Sequence, residues 1–163
     1  MKYKHFEYCE SLARRLKPVG HTDDDCHFFR ATEQSSLTEL ERNISAAHGM
    51  ILIAIDGKFS GFDYQPDSLI EKPLYGIVIA RQTDSTDIDT VFQAQDETKA
   101  LAMQVISRMM CDARDYRNGC EFIDPGSFLV EGFGPIAGNF YGVILSFSTE
   151  SGIEYKVDPE MWV

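Results

Sequence analysis

The stretch from Ile88 to Tyr116 constrains this chain more than any other. Val91, Ala94, Thr98, Leu101, Ala102, Val105, Met109, Ala113 and Tyr116 recur three and four apart, the period of one helix face. The opposite side carries Gln95, Glu97, Lys99, Gln104, Arg108, Asp112 and Arg114. Asp87 or Asp89 suits the N-terminal cap, and Asn118-Gly119 supplies a left-handed stop. At about 1.5 Å per residue the helix runs roughly 40 Å, long enough to lie across a small sheet. The remaining segments must supply that sheet.

Met50 to Ile55, MILIAI, is wholly apolar, as an interior strand covered on both faces must be. Asp56-Gly57 is a two-residue hairpin signal, and Lys58 to Tyr64 is predicted as the adjacent returning strand, with Gly61 suited to a bulge. Gln65 to Lys72 reads as a polar loop around Pro66, and Leu74 to Arg81 as the next strand. After the long helix, Phe128 to Val130 is predicted as a strand before Gly132-Phe133-Gly134-Pro135. Asn139 to Thr149 alternates, with Tyr141, Val143, Leu145 and Phe147 as its core face. Ile153 to Val157 pairs back after a Ser151-Gly152 turn or extends the sheet edge. Near the N-terminus, 3–17 reads as a helix ending before Pro18, Cys26 to Arg30 as a short strand, and 37–47 as a helix opened by a Ser36/Glu39 capping box. This order argues one α+β domain over 1–163. Its largely antiparallel sheet has about five to six strands, with the long helix across one face and two shorter helices beside it.

A chain of 163 residues with 44% apolar content buries one core. Its formal net charge of -11 repels a phosphate backbone, and the basic run Arg14-Arg15-Leu16-Lys17 is what a helix C-terminus favours without a ligand, so direct nucleic-acid binding is not expected. MKYKHFEYCESLARRL lacks the apolar centre of a signal peptide, and no window reaches the roughly 18 apolar residues of a membrane span. The expectation is a soluble protein made without export and without membrane contact. Cys9, Cys26, Cys111 and Cys120 are isolated and expected as free thiols.

His21, Asp23, Asp25 and His27 alternate, so an extended backbone would turn imidazoles and carboxylates to one side as candidate zinc or iron ligands. The same composition suits a plain exposed loop, and metal centres usually draw a ligand from a distant element. Carboxylates are too abundant to single out an acid–base pair. Cys111 and Cys120 lie at the helix end that does not activate thiols, and His5 and His48 need only solvation or a cap contact. Glu131 to Asn139 lacks phosphate-loop spacing and leads into a strand, so it reads as a tight turn or contact loop. No catalytic residue and no cofactor are therefore expected. Phe59, Phe62, Phe133, Phe140 and Trp162 fall outside the core face and are candidate interface anchors, which argues for self-association.

The N-terminal helix, the MILIAID hairpin, LYGIVIARQ, the helix DIDTVFQAQDETKALAMQVISRMM and the closing NFYGVILSFSTESGIEYKVDPEMW together resemble tail-terminator or head-tail joining proteins of tailed bacterial viruses and prophages. The resemblance spans residues 3–162 and rests on element order. It implies one α+β domain forming a homo-oligomeric ring at the end of a tail tube, in contact with other virion proteins and with an acidic lumen beside the genome. It also implies residence in the bacterial cytoplasm during assembly and then in the virion, with no active-site residues. Two other readings stand beside it. One is a small cytosolic adapter binding a single protein partner. The other is a metal-dependent enzyme using the His21–His27 cluster, whose sign would be a metal held with a ligand from a distant element.

Overall fold

The computed structural model describes residues 2–33, 37–84, 86–153 and 156–163. The elements run α1 (His5–Arg15), β1 (Phe28–Ala31), α2 (Leu37–Ser45), β2 (Met50–Ile55), β3 (Ser60–Gln65), β4 (Ser68–Gln82), α3 (Ile88–Arg114), β5 (Leu129–Ile136), β6 (Phe140–Ser148) and β7 (Ser151–Ile153). This is the expected α+β fold, with one long helix and two short ones. Its sheet has seven strands rather than five or six.

The fifteen-residue β4 is the spine of that sheet. Its second half, Leu74 to Gln82, lies between β2 and β6, and its first half lies between β3 and β7. The main path is β1-β2-β4-β6-β5, antiparallel except for β1 and β2, which run parallel with Phe28 opposite Leu52. The Asp56-Gly57 hairpin signal predicts Lys58 to Tyr64 beside MILIAI. Instead both edges of β2 are taken, by β1 and β4, and β3 continues in the direction of β2 along the same side of β4. Asp56 to Phe59 stand opposite only Leu74 and Tyr75, so the turn-forming dipeptide opens a bulge in an interrupted strand. Asp56 holds the bulge, its Oδ1 accepting from the Lys58 backbone N–H at 3.0 Å and its Oδ2 from Lys58 Nζ at 2.6 Å. Gly61 pairs in unbroken register with Lys72 and carries no bulge. The expected loop from Gln65 to Lys72 is a hairpin turned in two residues, Pro66 and Asp67, with Gln65 opposite Ser68.

Two apolar layers sandwich the strands. On one face Leu52, Ala54, Ile77, Ile79, Val143, Leu145 and Phe147 pack with Leu12 of α1 and Ala102, Val105 and Met109 of α3. On the other, Ile51, Ile53, Val78, Ala80, Phe140 and Ile144 pack with Leu40 and Ile44 of α2. Alternate residues of MILIAI feed both layers. Each fully buried Leu or Ile there contributes about 1.5–3 kcal/mol relative to exposure. The two short helices therefore lie on opposite faces, not side by side. With α2 covering the second face, β6 is buried on both sides, and Phe140 and Ile144 are core residues as well as Val143, Leu145 and Phe147, while Tyr141 is only half-buried.

Asp87 caps α3 by accepting from the Asp89 backbone N–H, and left-handed Asn118 and Gly119 follow its end as expected. Tyr116 lies past the helix and is exposed, whereas Asp112, assigned to the polar side, is 1% exposed. The Gly-rich stretch is not a contact loop: its first part is β5, and Ala137-Gly138 turn it into β6. Ser151-Gly152 lie within β7 and do not form a turn. The Ser36/Glu39 capping box, like residues 154–155 of the last predicted strand, falls outside what is described.

Candidate functional site

Where β4 passes beyond Leu74 it leaves the helical layers and becomes the centre of a three-stranded arm, β3-β4-β7. Register puts Tyr64 opposite Leu69 and Leu69 opposite Ile153, with Phe62 opposite Glu71 one pair along the same face. Phe62 is 56% exposed and Tyr64 75% exposed, in a strand that buries none of its residues. The reverse face is polar: Lys72 Nζ pairs with Asp63 Oδ2 at 2.6 Å and with Glu150 Oε1 at 3.3 Å, contacts that raise the Lys72 pKa. Among the described residues β3 and β7 each pair only with β4, so both outer edges of the arm are open.

At the root of the arm the apolar face runs into a cleft of about 780 Å³ lined by Tyr3, Asp56, Phe59, Tyr75, Phe122 and Ser151, among others. Its wall is rigid. His5 stacks on Tyr75 at 4.6 Å, Nε2 donates to the Gly76 carbonyl at 3.0 Å, and Nδ1 accepts from the Tyr3 hydroxyl at 3.0 Å. Burial drives the His5 pKa down to about 4, so the ring is neutral. Burial would raise the Asp56 pKa, but the Lys58 hydrogen bonds and charge outweigh it and leave the carboxyl below its ordinary value.

Of the five aromatic residues expected at an interface, Phe59, Phe62 and Trp162 are exposed, at 66%, 56% and 71%. Phe133 is half-buried against the α2-side core. Phe140 is fully buried in that core, because α2 covers the face of β6 that sequence had left to solvent. Tyr64, Phe122 and Met161 belong to the exposed set, and sequence did not single them out. In the tail bearing Met161 and Trp162, Asp158 Oδ1 accepts from the Glu160 N–H at 3.0 Å and caps a single short turn.

The His/Asp stretch divides. His21 is buried and accepts the His27 backbone N–H on Nδ1 at 3.2 Å, and Asp23 pairs with Arg14 at 2.5 Å. Asp25 and His27 do come together, with Oδ2 3.1 Å from Nε2. They are joined by His48 from the turn between α2 and β2, one ligand atom from each of the three lying within 4.8 Å of the others. His48, for which solvation or a cap contact is expected, is thus brought to this pair from a distant element. Separation in sequence hid it: only the parallel pairing of β1 with β2 carries His27 to the start of MILIAI.

Comparison with protein-family models, curated proteins and solved structures gives no match to this chain.

Proposed function

We propose that the protein is a structural or assembly subunit that works by self-association, in the manner of a tail terminator, with the projecting arm as its principal contact. The observation that carries this reading is the arm: two strand edges open among the described residues, and a face on which Phe62 and Tyr64 stand mostly in solvent beside Leu69 and Ile153. Open edges accept strands and exposed aromatic side chains anchor interfaces, so both features favour a protein partner. A second copy is favoured because the same chain also offers an exposed apolar segment, Val157, Met161 and Trp162, for such a surface. Arm against tail is a head-to-tail contact, which closes into a ring when its rotation permits. A formal net charge of -11 per copy opposes association, so burial of the aromatic face must outweigh the repulsion.

The test is the double substitution Phe62→Ser with Tyr64→Ser, compared with the parent chain by sedimentation velocity. Both side chains are exposed, so the variant keeps the parent's circular dichroism. It is expected to sediment as a monomer where the parent assembles. An assembly indistinguishable from the parent's would remove the arm from the interface. A parent that is monomeric at every concentration and instead captures one heterologous protein would favour the adapter reading.

A further inference from the structure

We propose that Asp25, His27 and His48 form a binding site for one divalent transition-metal ion of the zinc class. The argument begins with the hydrogen bonds of His27. Its Nδ1 is 2.9 Å from the Met50 carbonyl oxygen, which only accepts, so Nδ1 carries a proton and donates it. The lone pair of a neutral ring is then on Nε2, which faces Asp25 Oδ2 at 3.1 Å. Two acceptor atoms facing one another at that distance are placed to share a metal ion. Fixing one imidazole nitrogen on a backbone carbonyl so that the other faces the ion is also how proteins orient metal-binding histidines.

The geometry suits a small tetrahedral ion. Ligands about 2.0–2.1 Å from zinc lie about 3.3 Å from one another, close to the Asp25–His27 separation. The His48 ring packs edge-on to His27 with centroids 5.5 Å apart. His48 and Asp25 are both exposed, so side-chain rotation closes the remaining gap while His27, 6% exposed, stays fixed. Gly49, in the left-handed region at φ 74°, sets the backbone turn between His48 and β2. Two imidazoles and one carboxylate are a borderline-soft donor set that selects zinc-like ions over calcium or magnesium. Three protein ligands leave a fourth position to solvent. Bound there, the ion fastens the segment before β1 to the corner between α2 and β2, two parts of the chain otherwise joined through the His27 bond to Met50 and the β1–β2 ladder.

The site is tested by titrating the chelator-stripped full chain with zinc in a calorimeter, and by thermal melts with and without the ion. One equivalent is expected to bind and to raise the melting temperature. His48→Ala and Asp25→Asn, both on exposed side chains, are each expected to weaken binding about tenfold or more. Asp23→Asn, which removes the carboxylate that pairs with Arg14, is expected to leave zinc binding unchanged, as is Cys26→Ser, whose thiol points at the Phe28 carbonyl at 3.4 Å. Absence of saturable zinc binding would overturn the proposal. Binding of equal strength in His48→Ala, or binding abolished by Cys26→Ser, would overturn this ligand set.

Discussion

The Tyr8 hydroxyl donates to Asp112 Oδ2 at 2.8 Å, joining two residues 104 positions apart and locking α1 onto α3. Arg108, one helical turn before Asp112, reaches the other carboxylate oxygen with Nη2 at 2.8 Å. A carboxylate 1% exposed is thus held between a phenol and a guanidinium. Burial, together with the bond to Asp112, keeps the Tyr8 phenol protonated well above its ordinary range. Tyr8→Phe keeps the ring and removes the donor, and the cost of leaving the buried carboxylate short of a partner is about 1–3 kcal/mol. Urea denaturation should show a lower midpoint with an unchanged slope. A midpoint within error of the parent's would mean that water replaces the phenol.

Acid should weaken the fold through His5. Its pKa falls from 6.5 to about 4 on folding, chiefly by burial, with Asp56 and the Gly76 carbonyl opposing the shift and Lys58 adding to it. Between those values the unfolded chain takes up a proton that folded His5 refuses. The stabilisation is therefore complete above pH 6.5 and is lost as pH falls toward 4, on the order of 3 kcal/mol in all. His5→Gln should flatten the slope of stability against pH in that window. An identical slope in the two proteins would assign acid sensitivity to other groups.

The closeness of β4 and β6 leads to a sharp contrast between two glycines. A Cβ on Gly142 would lie 1.9 Å from the Ile79 carbonyl oxygen and 2.7 Å from the Ala80 Cα, whereas one on Gly61 meets nothing within 4 Å. Gly142→Ala must push the two central strands apart and is expected to cost about 3 kcal/mol or more. Gly61→Ala sits in the arm at an ordinary strand conformation and should be neutral or gain a few tenths, about 0.5 kcal/mol at most. Thermal melts of the two variants decide the matter, and equal effects would contradict the strand spacing.

What the sequence revealed follows from how local each cause is. MILIAI declared β2 to the residue because an uninterrupted apolar run has no other use at that length. The α3 stripe was equally plain, yet periodicity placed Asp112 in solvent because it knows nothing of Tyr8 arriving from the other end of the chain. Asp56-Gly57 reads as a hairpin and is none, since only tertiary pairing shows that β1 and β4 already flank β2. The arm escaped notice because Gln65 to Lys72 has the polarity of a loop. A strand with few buried neighbours carries little hydrophobic signal. In the metal candidates, local alternation points to Asp25 and His27 but also to His21, whose Nδ1 is taken by the His27 backbone N–H, and to Asp23, which pairs with Arg14, and it misses His48.

Light scattering behind size-exclusion chromatography, over roughly a hundredfold range of concentration and at low and high salt, tests the assembly account most directly. Charge repulsion between acidic copies is screened within about 10 Å at 0.1 M salt, so apolar association through the arm should strengthen as salt rises. The account predicts one discrete species of several copies, more populated with concentration and with salt, and its loss in Phe62→Ser with Tyr64→Ser. A parent chain that remains monomeric across the whole range, in both salts, would contradict it.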